Sequence, residues 1–197
     1  MTSDSVDPVD PVDAVDAVDA VDPVDPGWTA PAVERRENVP SDTERESLDR
    51  YLEWQRETLL WKCGGLSGEQ LASRPLATTG LSLLGLLRHL ALVERSWFRV
   101  RFAGDSELGR IYSTDENPDG DFDGGSAESA EADYGIYLAE VQLAREAVDG
   151  RALDELFPGR ERSLTLRWLY LQMIQEYARH LGHADLLREA IDGVRGD

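Results

Sequence analysis

Apolar residues recur every three to four positions through most of the chain beyond residue 40, and no stretch alternates apolar with polar. That period predicts helices rather than strands. The first helix opens at Ser41-Asp42-Thr43-Glu44, a capping box with acids suited to the helix dipole. Leu48, Tyr51, Leu52, Gln55, Leu59 and Lys62 mark its inner-to-boundary face, Trp54 and Trp61 add bulk, and Gly64-Gly65 ends it. A connector spans 66–80. The second helix begins near Ser82 and is apolar almost all round through Leu81, Leu83, Leu84, Leu86, Leu87, Leu90, Leu92 and Val93, which predicts burial. Gly104 ends it. Residues 104–126 are acidic and glycine-rich and read as a long loop. Tyr134, Tyr137, Leu138, Val141, Ala144 and Val148 predict a third helix over 127–149. Leu166, Leu169, Tyr170, Met173 and Tyr177 predict a fourth over about 163–191, stopped by Asp192-Gly193. The expected fold is all-α, an up-down bundle of four long helices, the kind of interior in which metal sites are built.

The first 26 residues break this pattern. Val-Asp-Pro or Val-Asp-Ala repeats seven times over 6–26, a three-residue period that suits neither helix nor strand. Its prolines block helix and its unpaired aspartates repel one another, so a disordered acidic tail is expected, running on to about residue 40. The domain plan is a tail over 1–40 and a bundle over 41–197. An unselected repeat expansion accounts for the tail better than a partner-binding arm.

Net charge narrows the function classes. The chain carries −19, of which the eight aspartates of residues 1–26 supply −8. With no basic footprint, neither nucleic acid nor an anionic membrane surface is an expected partner. No apolar run reaches the roughly 18 residues of a membrane span, and no signal-peptide pattern opens the chain. A single cysteine, Cys63, forms no internal disulfide and reads as a packed residue, so a cytoplasmic setting is expected.

Only three histidines occur, and two lie in Glu176-Tyr177-Ala178-Arg179-His180-Leu181-Gly182-His183. At about 100° per residue, Glu176, His180 and His183 project from one narrow stripe. Imidazole and carboxylate suit borderline divalent metals, and this spacing lets them converge on one ion. The third, His89, lies in the buried second helix. Alone it reads as a hydrogen-bonded core residue, and the metal hypothesis requires the fold to bring it against the Glu176 stripe. Gly182, in a helix interior, is either tolerated or there to let the second helix approach. Arg179, Asp185 and Arg188 either orient ligands or form surface pairs. Asp119-Gly-Asp121-Phe-Asp123-Gly124 copies the first half of a calcium loop. The twelfth position is Ala130 rather than a bidentate glutamate, so a solvated turn or lid edge is expected there.

Two segments resemble the DinB-like superfamily, and within it the actinobacterial branch of the mini-circle protein: Ser82 to Trp97, around His89, and Glu176 to Gly193, around His180 and His183. The Asp119–Phe122 loop and Leu166-Arg167-Trp168 look like that branch too. The resemblance covers about residues 42–193. It implies a four-helix bundle holding a divalent metal through one histidine of the second helix and two residues of the last. It also implies metal-dependent thiol transferase or isomerase activity, with mycothiol as the actinobacterial thiol. Glutathione and bacillithiol serve in other bacteria. The superfamily's His-x-x-x-His positions fall on Glu176 and His180 here, and Gln172 stands where the branch carries a histidine one turn earlier.

Two ligand sets are open: His89, Glu176 and His180, which keeps the superfamily positions, or His89, His180 and His183 with Glu176 as base. Whichever of Glu176 and His183 is not a ligand becomes the candidate catalytic proton carrier. Zinc is the first expectation for the metal, and nickel, iron or manganese also suits the ligands. The expected function is transfer of a mycothiol-type thiol to a small electrophile, or an isomerisation. The alternative is a non-catalytic metal-binding or stress-related bundle, and a homodimer is compatible with the resemblance alone.

Overall fold

The computed structural model describes residues 27–40 and 43–196. The acidic repeat and the Ser41 cap lie outside them. Helix α1 spans Glu44–Cys63, and the side chain of Thr43 caps it by accepting from the Glu46 N–H. A short helix, α2 (Gly68–Ala72), sits within the connector under a Ser67–Gln70 capping box. Helix α3 (Leu83–Glu94) is capped by Ser82 and buries leucines on all sides, as its composition requires.

Beyond Glu94 the chain departs from a simple helix. Residues Arg95–Phe102 continue α3 as a π-helix. The wider turn brings residues four apart nearly into line. Arg95 and Arg99 consequently both reach Glu140, at 2.5 and 2.9 Å. A single turn, α4 (Gly120–Asp123), interrupts the long loop, and α5 (Ala130–Val148) comes after it. The segment before the last helix, expected to be featureless or helical, holds a two-stranded antiparallel hairpin, β1 (Leu156–Pro158) with β2 (Ser163–Thr165). Three-residue strands are too short to reveal alternation in sequence. Helix α6 (Leu166–Asp192) begins at the cap of Thr165 and ends at Gly193, whose φ of 78° is left-handed.

The four long helices form the bundle, α1 packing along α6 and α3 along α5, with α6 also against α3. Across its centre runs a polar network. Arg56 meets the fully buried carboxylate of Glu94 at 2.8 and 2.6 Å. The Tyr177 hydroxyl donates to Glu94 at 2.8 Å and lies 3.0 Å from that of Tyr137. All four long helices thus contribute to one network around a single carboxylate. Tyr51, expected to face inward, is 51% exposed.

Residues 27–40 correct the expected tail boundary. They are seated on the bundle rather than trailing from it. Ala30 exchanges hydrogen bonds with Leu66 and Gly65 at 2.9 and 2.8 Å, Trp28 packs edge-on against Tyr134, and Arg35 lies over Trp54 and Trp61. Two tryptophans left on the outer side of α1 give this segment an apolar surface to cover.

Candidate metal centre

The antiparallel crossing of α3 and α6 brings His89, Glu176 and His180 together. One ligand atom from each lies within 4.8 Å of the others. His89 Nε2 is 3.3 Å and His180 Nε2 3.1 Å from the same oxygen, Glu176 Oε1. Two imidazole nitrogens therefore point at one carboxylate oxygen. His183 is placed differently. Its ring centre lies 5.5 Å from that of His180, and it is not one of the three converging groups.

The outer face of His89 is fixed by Asp121, which the sequence presented only within a calcium-like loop and not as a partner of the histidine. Asp121 Oδ2 lies 2.8 Å from His89 Nδ1. Burial disfavours the charge on Asp121, but the bond to His89, the nearby imidazole charge and backbone N–H donors together outweigh it and hold the carboxyl below its ordinary range. An ionised carboxylate only accepts, so Nδ1 donates to Asp121, and a cation shared with Glu176 would take the lone pair of Nε2. A carboxylate behind a histidine is the usual orienting partner of a metal-ligating imidazole.

Arg88 puts Asp121 there. Its buried guanidinium donates to the carbonyls of Asp121 and Gly120, both at 3.0 Å, and forks onto Asp133 of α5 at 3.0 and 2.9 Å. At Gly85 an added Cβ would lie 3.0 Å from the Phe122 carbonyl, so glycine lets α4 settle on α3. Phe122 then stacks on His89 with ring centres 4.5 Å apart. The Asp119–Gly124 stretch is thus a cover pinned to the cluster. Its resemblance to a calcium loop ends there, with Ala130 fully buried.

Electrostatics within the trio are uneven. Burial opposes charge on Glu176, yet the neighbouring imidazoles of His89 and His180 hold its carboxyl below the ordinary range. Burial, then the nearby His89, lowers His180, while Glu176 pulls the other way. The Nδ1 atoms of His180 and His183 are buried without hydrogen-bond partners among the described residues. A lone pair of His89 facing a carboxylate oxygen needs a proton or a cation between them. Two imidazoles and a carboxylate form a donor set that borderline divalent ions accept, so the residues present fit a metal.

Other sequence candidates fall outside the centre. A Cβ on Gly182 would meet nothing within 4 Å, so no close approach depends on it. Asp185 pairs with Lys62 at 2.5 Å, and Arg188 binds Asp192 and the carbonyls of Lys62 and Gly64. Both tie α6 to the end of α1. Cys63 is fully buried there, and burial pushes its thiol up to about 12. Among the described residues no helix is long and apolar enough to cross a membrane.

No curated protein and no solved structure matches the chain. The family model described as Mycothiol-S-transferase matches residues 47–193, a span that takes in α3, the α4 cover and α6 with its stripe, and the chain belongs to that family.

Proposed function

We propose that the protein transfers a mycothiol-type thiol to a small electrophile, using a divalent metal held by His89, Glu176 and His180. The observation that carries this reading is the convergence of His89, Glu176 and His180, with Asp121 2.8 Å behind His89. With Asp121 holding the Nδ1 proton, the Nε2 lone pair, Glu176 Oε1 and His180 Nε2 converge within the reach of one ion. When bound, the ion supplies positive charge that favours a thiolate over a thiol near neutral pH.

The chain's own residues do the rest. Phe122 covers the His89 ring and keeps water from one side of it. Glu176 is partly open, with a side chain 20% exposed. His183 stands beside His180, outside the ligand cluster and half-buried. It is the group placed to take up and return a proton at a ring nitrogen. Zinc fits the donor set, as do nickel, iron and manganese. The reducing cytoplasm, where such thiols are maintained, suits the single buried cysteine.

Elemental analysis of the wild type beside His89→Ala tests the ligand assignment. The wild type should carry about one equivalent and the variant below about 0.1, since losing one of three ligands removes most of the affinity. Turnover of monochlorobimane with mycothiol tests the activity. Metal without turnover would leave a metal-binding bundle, and wild type without metal after reconstitution would end both readings.

A further inference from the structure

Helices α1 and α6 run parallel where they pack, since Asp49 meets Tyr170 at one level and Lys62 meets Asp185 further along both. A cleft of about 280 Å³ opens between them. Gln55, Thr58 and Lys62 line its α1 wall, and Ala178, Gly182 and Asp185 its α6 wall. At about 100° per residue, this side of α6 lies roughly 120–180° from Glu176, so the cleft is separate from the metal centre. Gln55 is 7% exposed, and its amide makes no hydrogen bond among the described residues. An amide buried to that degree ordinarily has a partner, because leaving it unpaired costs the full desolvation of the group. The Thr58 hydroxyl donates to the Trp54 carbonyl at 2.6 Å and leaves its oxygen free to accept. Lys62 is 3% exposed, and Asp185 takes one of the three donors of its ammonium at 2.5 Å. A Cβ on Gly182 would meet nothing within 4 Å, so a larger side chain there would stand in the cleft.

We propose that the cleft is a second binding site, for a small carboxylic acid whose carboxylate sits at Lys62 and whose far polar group meets Gln55. The site needs neither the metal nor the thiol-transfer reading. Charge selects the anion. Among the lining residues, Arg35 and Lys62 stand against one carboxylate, Asp185, an excess of one positive charge in a chain of −19. That excess suits a monoanion. A phosphate dianion would bring a second charge that finds no partner beside Asp185. Length selects the rest. Gln55 and Lys62 stand seven residues apart on α1, about 10 Å of helical rise. Between and beside them Trp54, Leu181, Ala178 and Gly182 make the walls mostly apolar. The occupant is therefore a compact apolar body with a carboxylate at one end and a hydrogen-bonding group at the other. Gln55 offers both a donor and an acceptor to that far group, so a hydroxyl or an amide satisfies it.

The test is calorimetric titration of the full chain with 4-hydroxybenzoate and, beside it, benzoate. The wild type should bind both saturably and prefer the hydroxylated acid by about fivefold, the worth of one net hydrogen bond. Gln55→Leu should erase that preference, because only the bond to the hydroxyl is lost. Without ligand the same variant should unfold at higher urea, since it removes an unpaired buried amide. Lys62→Met keeps the aliphatic stem and should weaken both acids by about tenfold or more, as loss of a charged hydrogen-bond partner does. A chelator should leave both affinities unchanged. No saturable heat from either acid, equal affinity for the two in the wild type, or unchanged affinity in Lys62→Met overturns the assignment, and so does loss of binding on chelation, which would put the acid on the metal. Should Lys62→Met fail to fold, Gln55→Leu decides alone: a preference erased supports the site and a preference kept overturns it. The titration reads neither metal loading nor turnover, so the thiol-transfer reading stands or falls separately.

Discussion

Replacing Asp121 with asparagine keeps the shape of the side chain but removes the charge that holds a proton on His89 Nδ1. The amide can donate as well as accept, so the His89 tautomer is no longer fixed. Metal affinity of Asp121→Asn should fall by about 10- to 100-fold, measured by competition with a chelator, because partners behind ligating histidines contribute that much. Cys63 makes the opposite case, a residue chemically silenced by its surroundings. With its thiol pushed up to about 12, it stays protonated at any pH the fold experiences. A thiol-specific disulfide reagent at pH 8 should leave the native protein unlabelled and react only after denaturant is added.

At the scale of elements, the joint between α3 and its π-helical continuation rests on the buried polar network. Glu94, the last α-helical residue, is fully buried and accepts from Arg56 and Tyr177. Glu94→Ala leaves the buried Arg56 guanidinium with Glu53 as its one remaining carboxylate partner, and urea titration should show a loss of about 3 kcal/mol. The helices themselves were legible in the sequence, because each carries a sustained apolar period and a recognisable cap or stop. So was the stripe of Glu176 and His180, since helical spacing alone aligns them. The partnership of His89 with that stripe was a matter of topology, reachable only through the family resemblance or the folded chain. The π-helix left no trace, because its residues keep a helical pattern. Asp121 was hidden in an acidic, glycine-rich run whose aspartates look alike until Arg88 pins one of them against His89.

The whole molecule is strongly acidic, at −19, and its arginines are spent largely on bonds that stitch elements together. Glu53 ties that stitching to pH. Burial disfavours its charge, but Arg145 and Arg56 outweigh that and hold its carboxyl below the ordinary value of 4.5. A depressed folded pKa means that this stabilisation is present in full above about 4.5 and is lost as pH falls through the folded value. Between about pH 5 and 3 the denaturation midpoint of the wild type should therefore fall more steeply than that of Glu53→Gln, in which the titrating group is gone.

The strap of residues 27–40 also bears on where the protein can be cut. The family match begins at residue 47, so a fragment trimmed to it would start inside α1 and discard Trp28, Ala30 and Arg35. The indoles of Trp54 and Trp61 would lose their cover and leave a sticky strip along the outside of the bundle. On gel filtration that fragment should elute as aggregate or soluble oligomer at concentrations where a chain beginning at Gly27 does not. Anyone preparing this protein for crystals would do well to keep a segment that family likeness alone says to throw away.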